Sequence, residues 1–352
     1  MRSINKNAGN VAVFIVGCCV ALLFAGSAAA GAHAKKAPPM PIPPDISPAA
    51  QNYYRNLRPR SPVPLDVRNP KVMSFTRDFL AKVFLANTER LGIAHTLEQI
   101  ESDDVEAWWV RIDGQRDDKV LIYLHGGGMI LGSAKTNLAT PLRIAQTSGY
   151  SVLSVEYRLA PENPFPAALD DALAAYVWLL DNGWRATDIG VFGDSAGGNL
   201  ALAMPLLARD RDLPIPAALV LLSPSVDRTR TGDTYVTMAA FDPVLGAPSA
   251  EVYAGDHALD HPLVSPLFAD LTGMPPMLIQ VGTRERLLSD SVRLAQRARR
   301  AEVDVTLDVW DGMWHVWQDS PDVPEAELAA DEIGAFFRAH LGNDGPMSSR
   351  TR

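Results

Sequence analysis

Ile189-Gly190-Val191-Phe192 runs directly into Gly193-Asp194-Ser195-Ala196-Gly197, and Gly198 to Met204 continues as helix-like sequence. An apolar strand that turns this abruptly into a helix constrains the fold more than any other stretch of the chain. A strand this apolar must be covered on both faces, and a helix starting at once behind it packs back on its sheet, as in layered α/β proteins. The turn tolerates little bulk, hence glycine at positions 193 and 197 on either side of Ser195. It also sets Ser195 at a helix N-terminus, where the backbone dipoles favour negative charge.

A second apolar strand, Val120 to Leu124, ends in His125-Gly126-Gly127-Gly128, which begins 70 residues before the serine. Consecutive glycines after a core strand lose much backbone entropy and pack nothing, but they let main-chain N–H groups approach a ligand closely. The expected oxyanion donors are the N–H groups of Gly127 and Gly128, joined by that of Ala196 behind the serine. Gly126 and His125 are expected to support this loop, His125 by hydrogen bonding and not as a base. Further apolar runs at Ser151–Val155, Ile189–Phe192, Ala217–Leu222 and Pro276–Val281 alternate with helix-like segments such as Pro166–Asn182 and Glu325–Leu341. This alternation predicts a mostly parallel sheet flanked by helices.

An activated serine needs a base, and seven histidines are present. His33 falls in a segment expected to be removed, His95 and His340 read as surface positions, and His257 and His261 sit in an irregular insert. His315 is left, in the turn Trp310-Asp311-Gly312-Met313-Trp314-His315 after the edge-like strand Val303–Val309. The acid that orients its ring should lie in the loop after Pro276–Val281. Glu285 is preferred there. Asp290 is the alternative, although it follows Ser289, an expected helix N-cap, and so has a structural explanation of its own. Asp311 is a distant third.

These motifs resemble the bacterial hormone-sensitive-lipase-like family of α/β-hydrolase carboxylesterases. HGGG, the stretch Glu156-Tyr157-Arg158-Leu159-Ala160-Pro161-Glu162, Pro164-Phe165-Pro166-Ala167-Ala168 with Asp170-Asp171, GDSAGGN and His261-Pro262-Leu263-Val264-Ser265-Pro266-Leu267 all match its pattern, from about Val105 to Leu341. An aspartate more usually opens the acid loop in that family; here Glu285 takes its place, as in one subset. The resemblance implies an α/β-hydrolase fold with a helical cap, and hydrolysis of short to medium acyl esters without a cofactor. A lactone hydrolase or a deacetylase of acylated sugars would use the same residues, and a non-catalytic ligand-binding protein on the same scaffold is the reading from another class.

The remaining chain divides by composition. Residues 1–34 carry Arg2 and Lys6, the apolar stretch Val11–Ala25, and small residues ending at Ala30 or Ala34, the pattern of a secretory signal peptide. Export to the periplasm or the exterior is therefore expected, with no stable membrane span after cleavage; a lipid anchor at Cys18 is disfavoured because the chain stays apolar behind it. Cys18 and Cys19 are the only cysteines, so cleavage removes all thiol chemistry. Residues 35–48 are Pro-rich and read as an exposed linker. The next segment, 49–94, with Tyr53, Tyr54, Phe75, Phe79, Leu80, Val83 and Phe84 in helical spacing, reads as a helical cap segment. Residues 95–342 form the catalytic domain, with 226–260 as a cap insert, and 343–352 a disordered tail.

Losing Arg2 and Lys6 takes the formal charge from −9 to −11. No basic run with interleaved aromatics remains, so nucleic acid is not an expected partner. The four-residue spacing of His257 and His261 suits a metal only on a helix, which Pro262 disfavours, so no metal is expected. Met129, Met313, Trp314, Trp317 and Tyr253 are apolar residues near the expected catalytic loops or in the cap, and line a pocket or pack the core. The expected partner is a small-molecule ester, and a homodimer is left open.

Overall fold

The computed structural model describes residues 41–57, 65–100, 102–239, 241–242 and 247–341. The expected leader 1–34 and tail 343–352 lie outside the described residues.

Eight strands form one sheet: β1 (Thr96–Gln99), β2 (Ala107–Arg111), β3 (Arg116–Leu124), β4 (Tyr150–Val155), β5 (Ile189–Asp194), β6 (Ala218–Leu222), β7 (Met277–Gly282) and β8 (Val305–Trp310). Their spatial order is β1-β2-β4-β3-β5-β6-β7-β8. The pairs β1–β2 and β2–β4 are antiparallel, and every other pair is parallel. Strands β3 to β7 correspond to apolar runs in the sequence, and the half-exposed β8 to the edge-like strand expected at Val303–Val309. The antiparallel strands β1 and β2 are not among those runs; β1 is largely exposed.

The helices, in chain order, are α1 (Pro48–Asn56), α2 (Pro70–Leu91), α3 (Ala139–Ser148), α4 (Ala167–Asp181), α5 (Ala196–Asp210), the short α6 (Thr234–Thr237) and α7 (Ala247–Ala254), α8 (Leu288–Arg300) and α9 (Pro324–His340). Side chains alternate across a strand, so β3 feeds two cores. Val120, Ile122 and Leu124 pack with Leu169 and Leu173 of α4, Leu200 of α5 and Leu294 of α8. Leu121 and Tyr123 point the other way, toward Leu142 of α3 and Ile333 and Phe337 of α9. Each such fully buried side chain contributes about 2 kcal/mol. Strand order reverses at β3, with β4 on one side and β5 on the other. A crevice opens beyond the carboxyl ends of strands at such a switch point.

The N-terminal segment is anchored to these strand ends. Asn69 caps α2 by accepting from Lys71 N, Pro70 opens the helix, and Gly92 closes it at φ 64°. Met73 and Leu80 of α2 pack on Ile130, Leu131 and Ala160. Arg77 donates to the Ile130 and Ala160 carbonyls, each at 2.9 Å. Phe75, by contrast, is 58% exposed and takes no part in this packing.

The exposed linker expected at 35–48 does not extend through its second half. Ile46 is buried with Ala50, Met313 and Trp317, and Ser47 N and Oγ donate to Glu325 at 2.7 and 2.8 Å. Arg284 donates to the Pro41 carbonyl. Composition reports the prolines but not the apolar surface on which Ile46 settles.

Candidate active site

Ser195 sits between β5 and α5 at φ 54°, ψ −113°, a conformation a non-glycine residue holds only when its surroundings enforce it. Its N–H donates to Leu222 O at 2.8 Å, and its carbonyl accepts from Ser225 N at 3.0 Å. A side chain on Gly197 would strike the backbone of Leu124 and His125, and one on Gly193 would strike Gly197, so both glycines are required by close backbone approach.

His315 follows β8. Its Nε2 lies 2.9 Å from Ser195 Oγ, and its Nδ1 lies 3.0 Å from Glu285 Oε2. Burial opposes the charged ring. The hydrogen bond to Glu285 and the negative charges of Asp242, Glu285 and Asp194 outweigh burial and hold its pKa above the ordinary value of 6.5. Glu285 is fully buried, and its other oxygen accepts from Gly282 N at 2.7 Å and Ser223 Oγ at 2.8 Å. Ser223 Oγ also accepts from Val316 N at 3.2 Å, so one hydroxyl joins the acid to the backbone beside His315. Ser223 has no motif around it; its position at the end of β6, a parallel strand beside the elbow strand, is the only sequence signal.

Asp290, the alternative acid, is not brought to His315. It is fully buried in the first turn of α8, where Oδ2 accepts from Asp227 N at 3.0 Å. Burial pushes its pKa up to about 8. Asp290 therefore holds the loop after β6. Ser289 is not the helix N-cap expected of it: the helix begins at Leu288, and Ser289 Oγ accepts from Thr234 N at 3.1 Å. Asp311 is exposed and bonded to Thr283 Oγ1 at 3.0 Å.

Gly127 and Gly128 adopt φ 121° and 69°. The Gly127 carbonyl accepts from Ile130 and Leu131, which closes the glycine loop on itself. Among the described residues the N–H groups of Gly127, Gly128 and Ala196 meet no acceptor. Asp194 ties this loop to the elbow, since its Oδ1 accepts from Gly126 N at 3.0 Å and Tyr123 Oη at 2.6 Å. Burial raises the pKa of Asp194 despite these donors. His125 is fully buried, its ring stacked on Tyr157 with centroids 4.1 Å apart and Nδ1 2.7 Å from the Gly126 carbonyl. Burial lowers its pKa to about 4, which keeps the ring neutral.

Ser195, His315 and the glycine loop border one cavity of about 350 Å³. Tyr53 of α1 and Leu80, Val83 and Phe84 of α2 form an apolar wall; Tyr235 and Ala250, from the segment containing α6 and α7, form another. Trp314 lines the cavity and stacks on Tyr53 with centroids 3.8 Å apart. Met129, Met313, Trp317 and Tyr253 are fully buried and pack the core. The His257 and His261 rings pack around Phe165.

Residues 121–319 match the family model described as alpha/beta hydrolase fold. The chain belongs to this α/β-hydrolase family. It is 41% identical over 241 residues to an acetyl-hydrolase of Streptomyces hygroscopicus, covering 67% of this chain and 80% of that protein. An esterase of Acinetobacter venetianus is 35% identical, over 64% of this chain and 80% of its own length. Among solved structures, an esterase from the bacterial hormone-sensitive lipase family superposes with a TM-score of 0.72 at 40% identity, covering 82% of this chain and 95% of that one. An esterase/lipase from an uncultured bacterium gives 0.74 at 40% identity, covering 80% and 94%. This α/β hydrolase is thus an ester-hydrolysing enzyme of the hormone-sensitive-lipase-like kind, and the binding-protein reading is set aside. No helix among its described residues is long and apolar enough to cross a membrane.

Proposed function

We propose that this enzyme hydrolyses carboxylic esters of short to medium acyl chains through an acyl-enzyme on Ser195. The observation that carries this reading is the continuous line from Ser195 Oγ to His315 Nε2 at 2.9 Å and from His315 Nδ1 to Glu285 at 3.0 Å. His315 takes the hydroxyl proton as Oγ attacks the ester carbonyl carbon. The N–H groups of Gly127, Gly128 and Ala196 receive the oxyanion; they meet no other acceptor, so they need no reorganisation to do so. Glu285 keeps the Nδ1–H tautomer in place and stabilises the imidazolium. Collapse of the tetrahedral intermediate breaks the ester C–O bond, and His315 returns its proton to the departing alcohol. Water then attacks the acyl-enzyme by the same steps and frees the acid.

A cavity of about 350 Å³ suits an ester of modest length. The relative named acetyl-hydrolase supports a short acyl group. Lactone opening and sugar deacetylation would run on the same atoms. The helices α1 and α2 and the segment carrying α6 and α7 act in this reading as the cap that selects among substrates. The leader pattern in residues 1–34 supports export, checked by fractionating cells that express the full chain.

The test is hydrolysis of a p-nitrophenyl ester series from acetate to decanoate. Ser195→Ala is expected to lower kcat at least about a thousandfold, as loss of a serine nucleophile does. Wild-type rates in that variant would overturn the mechanism.

A further inference from the structure

Arg228 lies on the loop after β6 and lines the same cavity as Ser195 and His315. It is only 4% exposed, and neither its Nε nor its Nη2 meets a hydrogen-bond partner. No carboxylate among the described residues hydrogen-bonds the guanidinium, although Asp290 Oδ1 is itself buried without a partner. Asp227 Oδ2 lies 2.6 Å from Arg293 Nη1 and accepts from Thr231, while its Oδ1 accepts from Thr229. Asp290 accepts from Asp227 N and, with a pKa near 8, is largely uncharged at neutral pH. The Tyr253 ring centroid, 5.3 Å from the guanidinium carbon, gives a cation–π contact, and the Tyr253 hydroxyl makes no hydrogen bond to the guanidinium.

The same fold treats a purely structural buried arginine differently. Arg143 is also buried, and its guanidinium donates to the carbonyls of Gln318, Ser320 and Pro321 at 2.8 to 3.0 Å. A buried cation without such partners is strongly unfavourable, and an anionic group entering the cavity would relieve that. A guanidinium offers paired donors in one plane, which a carboxylate accepts with two oxygens. A phosphate dianion would call for a second cation, and the other arginines that line the cavity, Arg90 and Arg230, are held by Asp322 and Glu251.

We propose that Arg228 is an anion subsite of the hydrolase cavity and holds the carboxylate of an ester that carries one free acid group. The acid group lies either on the acyl half, as in a half-ester of a dicarboxylic acid, or on the alcohol half, as in an acetylated hydroxy acid. The proposal rests on ester hydrolysis at Ser195 and adds the charge class of the substrate.

The experiment compares kcat/KM within two matched pairs by titrating released acid: monoethyl adipate against ethyl hexanoate, and 4-acetoxybutanoate against butyl acetate. Arg228→Met is expected to lower the charged-to-neutral ratio about tenfold or more in one pair, with partial recovery in Arg228→Lys. The pair that responds identifies the half that carries the acid. Each ratio is taken within one preparation, so partial unfolding does not move it. Ratios unchanged within about twofold in both pairs would overturn the subsite while leaving the esterase reading intact.

Should Arg228→Met fail to fold, equilibrium binding to Ser195→Ala decides, using monoethyl adipate against ethyl hexanoate and 4-acetoxybutanoate against butyl acetate. Tighter binding of the charged member of either pair supports the subsite, and no preference in both overturns it. Wild-type hydrolysis of ethyl hexanoate by Ser195→Ala would instead sink the proposed mechanism at Ser195, and the binding comparison would still stand.

Discussion

Ser223 Oγ donates to Glu285 Oε1 across 2.8 Å and accepts from Val316 N, so the end of β6 holds both the acid and the loop that carries His315. Removing this hydroxyl leaves Glu285 with one donor fewer and frees the Val316 amide. Ser223→Ala is expected to lower kcat about tenfold with little change in KM. The acid limb of its pH–rate profile should move to higher pH, because a less solvated Glu285 carboxylate draws the proton on His315 more strongly. A fall in activity with no movement of that limb would point to misfolding instead.

Glu285→Gln should act in the opposite direction on the same limb. His315 must be neutral to accept the Ser195 proton, so kcat/KM of the wild type rises with pH through a pKa above 6.5. An amide in place of the carboxylate removes the contribution that holds that pKa up. The limb should shift to lower pH, while kcat falls more than about a hundredfold because the tautomer is no longer held.

Asp290→Asn separates the two acids proposed for His315. Asp290 is buried with a pKa near 8, so it is mostly protonated at neutral pH and asparagine resembles that form. Its kcat should stay within a few-fold of wild type. A loss as large as that of Glu285→Gln would exchange the two roles.

Lys119 and Asp188 form a buried ion pair at 2.6 Å beneath the start of β5, and Arg185 takes the same carboxylate at 2.9 Å. Burial alone would raise the pKa of Asp188, but the hydrogen bonds from Arg185 and Lys119 bring it below the ordinary value. Lys119→Met is expected to destabilise the fold by about 3 kcal/mol in urea titration. A carboxylate with a lowered folded pKa stabilises above its unfolded value and loses that contribution as pH falls through the folded one. The gap between wild type and variant should therefore be full above about pH 4 and shrink below it.

Tyr53 stacks on Trp314 at the cavity wall, which links the segment before the sheet to the His315 loop. Tyr53→Ala should lower the melting temperature by a few degrees, since such a pair contributes about 1 kcal/mol beyond its buried area. It should also raise the rate on long acyl chains relative to acetate. An unchanged chain-length profile would remove α1 from the proposed cap.

The parallel sheet was legible because β3 to β7 contain short apolar runs and β8 an edge-like strand, separated by helix-like segments, and local pattern suffices for such elements. The elbow and the glycine loop were legible because close backbone approach demands glycine, a requirement written directly in residue type. Strands β1 and β2 are not among the apolar runs read from the sequence: β1 is an exposed edge strand, and β2 lies between it and β4. Ser289 looked like a cap because serine favours caps, yet tertiary contact with Thr234 claimed its hydroxyl.

By itself, then, the sequence determined the α/β class and singled out Ser195, His315 and the glycine loop as candidates, each announced within a few residues of itself. Only the tertiary structure decided that Glu285 and not Asp290 meets His315, that Ser223 and Asp194 brace these residues, and that Arg228 lines the cavity with its Nε and Nη2 lacking hydrogen-bond partners. Those relationships join residues far apart in the chain, and hydrogen-bond partners at such separations are set by how β5, β6, β7 and β8 align, which no local pattern encodes.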